Sequence, residues 1–276
     1  MFGGFCFFVY CLSMVWNGMD YGVVYGLSAK SRRGGNGGQV VWKPQTENQC
    51  QYMDYLLDPR RSLVVATGPA GSGKTLLACA CAMDALQKGH IRKIVLTRPL
   101  VGVEEEEIGF LPGNLVHKMD PWTKPMFDIF LEMITMGELQ QWVKEGMIEV
   151  APLGFMRGRS FHYTFVLADE MQNSSPGQMK MLATRIGKGS KLVMTGDLAQ
   201  SDWGEKTNGL ADFLNRFDQH VSDVGPVLDI GWIDMDHSDI QRSALVQHIL
   251  DIYDTAPLKA PTIPGTLDSG SSHTIP

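Results

Sequence analysis

The segment from Gly68 to Thr75 constrains the fold of this chain more than any other part of the sequence. It reads GPAGSGKT, follows the apolar run Leu63–Ala66 and precedes a pattern typical of an amphipathic helix. Glycines allow consecutive backbone N–H groups to turn inward around a phosphate without a clash from a Cβ atom. The following helix adds unpaired N–H groups and the positive end of its dipole. The spacing therefore predicts a phosphate-binding loop between a strand and a helix.

The predicted nucleotide-binding residues are the eight residues of this loop: Gly68, Pro69, Ala70, Gly71, Ser72, Gly73, Lys74 and Thr75. Lys74 is expected to neutralise the β- and γ-phosphates of a nucleotide, and the Thr75 hydroxyl is expected to ligate Mg²⁺. The loop thus predicts a nucleoside triphosphate and Mg²⁺ as ligands.

Two acidic residues, Asp169 and Glu170, follow the apolar run Phe165–Ala168. At the end of a strand, Asp169 is placed to hold Mg²⁺ through water. Glu170 is then the candidate to orient or deprotonate a water molecule beside the γ-phosphate. Paired acids at strand ends are common, but downstream of a phosphate-binding loop they favour a catalytic role. The adjacent glutamate favours hydrolysis over phosphoryl transfer to a small acceptor.

A third strand, predicted at Lys191–Thr195, also ends in polar residues. Asp197 and Gln200 follow it. In a parallel sheet these side chains would lie at the same carboxyl edge as Lys74 and Glu170. Gln200 is therefore a candidate sensor of the γ-phosphate, and a simple turn at residues 196–197 is the alternative interpretation.

Apolar runs alternate with helical patterns between residues 40 and 255. This alternation predicts a single α/β domain with a doubly wound, mostly parallel sheet. Further strands are predicted at Lys93–Thr97, Met147–Ala151 and Val227–Ile233, and helices at Leu76–Leu86, Trp122–Thr135, Gly137–Glu145, Gly177–Ile186, Leu210–Phe217 and Asp239–Tyr253.

The two ends of the chain differ from this domain in composition. Residues 1–39 are an apolar stretch followed by a Gly- and Arg-rich linker, and residues 256–276 are rich in Pro, Ser and Gly, which predicts a disordered tail. The apolar stretch lacks the basic residues that precede a secretory signal and is shorter than the roughly 20 residues of a membrane span. An anchor, a weak signal and a start at Met14 or Met19 stay open. We favour the last, with a cytoplasmic protein and no membrane association.

Charge and cysteine content exclude several classes of protein. The chain has 24 basic and 30 acidic side chains, which excludes a broadly basic nucleic-acid binder but allows a local basic groove. Its five cysteines form no CxxC pair. A disulfide scaffold and a structural zinc site are therefore not expected.

Shorter motifs around these elements point to one family. They are GFLPG at residues 109–113, RGR at 157–159, DEMQN at 169–173 and TRIG at 184–187. Over roughly residues 43–254 the chain resembles the PhoH family of phosphate-starvation-associated P-loop ATPases, in a short version of the phage or virus type. The resemblance implies a RecA-like, helicase-like P-loop NTPase core that uses ATP and Mg²⁺ and acts on RNA. Met171, where the family usually has alanine, and the four glutamates at 104–107 depart from the pattern.

The resemblance also suggests roles for single residues. Gln49 lies upstream of the loop, where helicase-like ATPases place a glutamine on the adenine edge, and an amide offers both a donor and an acceptor. Arg242 matches an arginine of the family's C-terminal helix and is a candidate arginine finger, in cis or from a neighbouring subunit of a homo-oligomer. Arg185 is the alternative finger.

Contacts to RNA have their own candidates. Arg98, Arg157 and Arg159 are the predicted contacts to the phosphate backbone. Trp122 and Phe155 could stack on bases, although aromatic residues beside prolines more often belong to the core.

Two other functions stay compatible with the sequence. A nucleoside kinase of the thymidine-kinase kind also pairs a P-loop with an acidic strand, although such enzymes commonly carry a cysteine-rich zinc lobe that is absent here. An ATP-gated assembly protein with little turnover would need the same nucleotide site. ATP hydrolysis with Mg²⁺, coupled to RNA binding or remodelling, is the function that we expect.

Overall fold

Six parallel strands form one sheet in the computed structural model of this protein, which describes residues 43–99, 120–200, 208–240, 245, 248, 249 and 252, with the backbone alone at residues 120–122. The strands are β1 (Leu63–Thr67), β2 (Lys93–Thr97), β3 (Ile148–Val150), β4 (Thr164–Ala168), β5 (Lys191–Gly196) and β6 (Ile230–Asp234). Their order is β3-β2-β4-β5-β1-β6, and every pairing is parallel. All carboxyl ends therefore meet at one edge of the sheet.

Helices cover both faces of this sheet. They are α1 (Glu47–Leu57), α2 (Lys74–Gln87), α3 (Asp120–Met133), α4 (Met136–Lys144), α5 (Pro176–Ala183) and α6 (Gly209–Val224). Val64 and Ala66 of β1 point into the core beneath α1 to α4, whereas Val65 points into the core beneath α5 and α6. Both faces are therefore buried, as the predicted doubly wound α/β fold requires. The predicted fold class is confirmed.

The largest difference from the predicted elements is α1, which was not predicted from the sequence. The Thr46 side chain caps this helix by accepting a hydrogen bond from the N–H of Gln49. Tyr52, Met53 and Leu56 form its buried face. Their spacing of three and four residues is the pattern of a helix packed on a core.

Several predicted boundaries also move. α6 extends to Val224, seven residues beyond the predicted end at Phe217. α5 ends at Ala183 because Ile186 forms a bridge with Phe161. β6 begins at Ile230 rather than Val227. Asp239, the predicted start of the last helix, lies in a single 3₁₀ turn from His237 to Asp239, whereas the described residues 245, 248, 249 and 252 of that predicted helix are helical.

Several predictions fall outside the described residues. These are the N-terminal extension at residues 1–39, the tail at 256–276, the segment containing GFLPG and the four glutamates, and the position of Arg242. Among the residues that the structure does describe, no helix has the length and apolar character to cross a bilayer.

Candidate functional site

A cleft of about 320 Å³ lies at the carboxyl edge of the sheet. The ends of β4 and β5 and the start of α2 converge on it, as expected for ligand sites of open α/β sheets. It is lined by Ala70, Gly71, Gly73, Lys74, Thr75, Leu76, Asp169, Glu170, Gly196, Asp197 and Gln200. The structure thus brings together the three motifs that the sequence places at strand ends.

The P-loop needs glycine at two positions for different reasons. Gly68 has a φ of +131°, and a Cβ at this residue would lie 2.2 Å from the carbonyl oxygen of Met235. Gly73, with a φ of +90°, forms the left-handed N-cap of α2. An L-residue at Gly68 would clash with backbone and would also be strained. The loop is therefore held against the segment that comes after β6.

The Lys74 ammonium group lies against the P-loop itself. Its Nζ donates hydrogen bonds to the carbonyl oxygens of Gly68 and Pro69, both at 2.7 Å. Burial lowers the pKa of Lys74, and four nearby carboxylates favour its charged form against this effect. These are Asp197, Asp169, Glu170 and Asp234. Lys74 therefore concentrates positive charge in a cleft that is otherwise acidic.

Asp169 provides the oxygen atoms of a cation site. Its Oδ1 accepts hydrogen bonds from the hydroxyl groups of Thr75, at 3.0 Å, and Thr195. Carboxylate and hydroxyl oxygens are ligands that Mg²⁺ uses at phosphate sites. The residues present fit the Mg²⁺ that the motif predicts, with Thr75 and Asp169 as the groups that would hold it.

Glu170 adopts an unusual backbone conformation at the mouth of the cleft. Its φ of 56° and ψ of 39° lie in the left-handed region, which non-glycine residues seldom occupy. Such conformations cluster at functional sites, where the surrounding contacts hold them. The carboxylate contacts Arg98 through Oε1, at 3.5 Å, and accepts a hydrogen bond from the Gln172 amide through Oε2. The proposed water-activating group is thus held from two sides.

Gln172 is a site residue to which the sequence assigned no role. Its side chain is 1% exposed, and its Oε1 accepts a hydrogen bond from the N–H of Asp197 at 3.2 Å. The amide therefore connects Glu170 to the turn that carries Gln200. The DEMQN motif contains this glutamine, but its position in the motif does not reveal either partner.

Gln49 lies behind the P-loop and does not line the cleft. Its Nε2 donates to the carbonyl oxygens of Ser72, at 3.0 Å, and Asp239, at 3.1 Å. Its Oε1 accepts from the N–H of Gln45 at 2.9 Å. The predicted contact with adenine would require the amide to leave these partners, and it stays a prediction.

A substitution separates these two roles of Gln49. We expect Gln49→Met to weaken ATP and GTP binding alike by up to about 30-fold, since the substitution removes two hydrogen bonds of about 1 kcal/mol each, to Ser72 in the loop and to Asp239 beside it. Titration with each nucleotide measures this. Gln51→Met, an exposed position on the same helix, is the control. A loss confined to ATP would assign Gln49 to the adenine edge instead.

Asp239 joins the segment after β6 to the start of α1. Its carboxylate is fully buried and accepts hydrogen bonds from the Thr46 hydroxyl, from Asn48 Nδ2 at 2.9 Å and from the N–H of Asp236 at 2.8 Å. Because the Asp239 carbonyl also accepts from Gln49, the contacts continue to the P-loop. The sequence offers no local signal for this junction, which spans about 190 residues.

The predicted RNA-binding arginines differ in their surroundings. Arg159 forms a bidentate ion pair with Glu149, at 2.6 and 2.9 Å, and its guanidinium lies 5.0 Å from the Phe161 ring. Arg159 therefore forms a structural ion pair and is not a free group for binding RNA. Arg98 contacts Glu170, whereas Arg157 is exposed.

The remaining candidates lie in three different settings. Phe155 is 59% exposed and does not belong to the core. Arg185 is half-buried, with its Nε donating to the carbonyl oxygen of Met181 at 3.1 Å. Trp122 lies in α3, but its side chain and all of Arg242 lie outside the described residues.

The family model and the individual relatives that match this chain all belong to one family. The family model described as PhoH-like protein matches residues 41–254. The PhoH-like protein of Bacillus subtilis is 42% identical over 214 residues, covering 76% of this chain and 63% of the relative. Protein PhoH of Escherichia coli K12 is 34% identical over 212 residues, covering 76% and 57%. The chain thus spans about three fifths of these relatives.

Solved structures give a weaker likeness. The large terminase of a thermophilic bacteriophage is 9% identical, with a TM-score of 0.45, covering 76% of this chain and 50% of the terminase. The strand order and the P-loop geometry, not this likeness, define the fold.

Proposed function

The chain belongs to the PhoH-like protein family, and on this basis we propose that it binds ATP with Mg²⁺ in the cleft, hydrolyses it and couples hydrolysis to RNA binding. One observation supports hydrolysis above all others. Lys74, Asp169 and Glu170, which lie at the start of α2 and just after β4, all line one cleft. A phosphate clamp, a cation ligand and a general base are the groups that hydrolysis of a triphosphate requires.

The chemistry assigned to each residue follows from its surroundings. Lys74 and the N–H groups of the P-loop bind the phosphates and stabilise the charge that spreads over the γ-phosphoryl group. Mg²⁺, held by Thr75 and Asp169, would neutralise part of the same charge. Glu170 orients the attacking water and accepts its proton, and Gln200 lines the cleft as the sensor of the γ-phosphate.

Coupling to RNA is supported by groups at the same edge of the sheet. Arg98 follows β2, and its carbonyl oxygen accepts a hydrogen bond from the N–H of Leu153 at 3.2 Å, in the turn after β3. That turn presents Phe155 and leads to Arg157, and both are exposed. An aromatic ring and a cation at the same carboxyl edge of the sheet as the cleft are suited to stacking on a base and contacting a phosphate.

We also propose that a neighbouring subunit completes the site in a homo-oligomer. The sequence assigns this role to Arg242, with Arg185 as the alternative. A mobile cation of this kind stabilises the transition state of phosphoryl transfer.

The function is tested by measuring phosphate release with a panel of single- and double-stranded RNA and DNA. We expect Mg²⁺-dependent ATP hydrolysis that single-stranded RNA accelerates, because its unstacked bases are accessible to an exposed aromatic ring. ADP formation that depends on a nucleoside would indicate a kinase instead. Slow turnover that no nucleic acid changes would indicate an ATP-gated assembly protein.

The RNA surface is tested by Arg157→Ala. Removal of one phosphate contact should reduce the slope of log affinity against log salt by about one and weaken different RNA sequences equally. Basal ATP hydrolysis should not change, since Arg157 does not line the cleft. Arg60→Ala is the matched control, because Arg60 is 78% exposed and precedes β1, at the opposite edge of the sheet. An unchanged salt slope would place the RNA elsewhere.

A further inference from the structure

We propose that Gln172 is a positioning residue for hydrolysis, whose amide fixes the Glu170 carboxylate relative to the turn that begins at Asp197. The inference rests on the proposed role of Glu170 as the group that activates water. It assigns a function to a buried glutamine that does not itself line the cleft.

Both ends of the Gln172 amide have partners that determine its orientation. Its Nε2 donates to Glu170, which as a carboxylate only accepts, and its Oε1 accepts from the backbone N–H of Asp197. Reversing the amide would place an N–H against an N–H and an oxygen against a carboxylate. The two partners therefore enforce a single arrangement of the three groups.

The sequence leaves space for this amide at Gly196. A Cβ at Gly196 would lie 2.8 Å from Gln172 Oε1 and 2.5 Å from Leu210 Cδ2. Gly196 ends β5 and has no positive φ, so its requirement for glycine is one of space. The last residue of the strand thus allows Gln172 to reach the N–H of the next residue.

The turn on the other side of Gln172 is itself well defined. The Asp197 carboxylate accepts a hydrogen bond from the N–H of Ala199 at 3.0 Å, and its carbonyl oxygen accepts from the N–H of Gln200 at 3.1 Å. Asp197 and Gln200 both line the cleft. Gln172 therefore connects this turn to the Glu170 carboxylate through its two hydrogen bonds.

The Glu170 carboxylate needs to be held in position for hydrolysis, because a glutamate side chain is flexible and 33% of the Glu170 side chain is exposed. The other contact of its carboxylate, with Arg98, is long at 3.5 Å and is made by a side chain that is itself 31% exposed. A general base that is displaced by about 1 Å can lose about 100-fold in rate. The buried amide is therefore the stronger of these two restraints on the base.

The experiment is a double-mutant cycle between Gln172 and Glu170. Gln172→Met keeps the length of the side chain and removes both hydrogen bonds. We expect kcat to fall by about 10- to 100-fold while KM for ATP changes less than about twofold, since the lost contact acts on the transition state. In the Glu170→Gln background, Gln172→Met should cause little further loss, because its target carboxylate is already gone.

Controls separate this role from a contribution to folding. Gln178→Met removes an amide of the capping box of α5 and should leave kcat unchanged, while thermal unfolding is measured for every variant. If Gln172→Met reduces kcat by the same factor with and without Glu170, its role is structural and the inference is overturned. Unchanged kcat in Gln172→Met also overturns it. Wild-type turnover in Glu170→Gln would instead overturn the proposed base.

Discussion

Lys74→Ala is expected to reduce ATP hydrolysis to background and to weaken ATP binding by at least about 100-fold. A cation about 4 Å from a phosphate contributes on the order of 4 kcal/mol at an effective dielectric constant of about 20, which corresponds to about 1,000-fold in affinity. The loss is large here because four carboxylates surround Lys74. Without the ammonium group, a triphosphate would enter a cleft whose charged side chains are negative.

The measurement is a titration with ATP and Mg²⁺, together with phosphate release. Lys88→Ala is the matched control, because Lys88 follows the same helix α2 at its far end and pairs with Asp84. This control should bind and hydrolyse ATP as the wild type does. Near-normal ATP affinity in Lys74→Ala would remove the P-loop lysine from the proposed site.

The carboxyl-edge site could be predicted from the sequence because each part of it is local. A run of apolar residues that leads into a glycine loop, or into Asp169 and Glu170, indicates a strand and the polar turn at its end. Since parallel strands end at one edge, these residues were expected to meet. β4 and β5 indeed bring Glu170 and Gln200 to the cleft that contains Lys74.

The hydrogen bonds that hold the P-loop against α1 and the segment after β6 could not be predicted, because they join residues that are far apart in the sequence. Gln49 reaches Ser72 and Asp239, which lie 23 and 190 residues away. No spacing rule indicates such partners, since they depend on how β6 returns beside β1. The sequence suggested adenine for Gln49 by likeness to helicase-like ATPases, whereas in the structure the amide contacts two backbone carbonyl groups.

The partners of the arginines could not be predicted from the sequence either. The sequence identifies the charge of Arg98 and Arg159 but not the acid that each one faces. Arg159 pairs with Glu149, ten residues away, across the turn after β3. Arg98 instead lies beside Glu170, because β2 and β4 are neighbours in the sheet. Charge alone therefore overestimates how many arginines are free of acidic partners within the protein.

Glu170→Gln is expected to keep ATP binding and to lose at least about 100-fold in the rate of hydrolysis, the scale of a positioned general base. The substitution preserves the shape of the side chain but leaves an amide, which cannot accept the proton of the attacking water. It also removes one negative charge from the cleft. ATP affinity should therefore be equal to that of the wild type or higher.

Single-turnover hydrolysis and ATP titration measure the two effects separately. Glu145→Gln is the matched control, because Glu145 also accepts a hydrogen bond from a glutamine amide, that of Gln141, but lies at the exposed end of α4. Turnover near the wild-type rate would transfer the role of base to another group. A parallel loss of ATP affinity would show that Glu170 supports the nucleotide rather than the reaction. If Glu170→Gln binds ATP normally but does not hydrolyse it, Glu170 acts as a base. A phosphate ligand would also contribute to ATP binding, whereas a base acts only after ATP has bound.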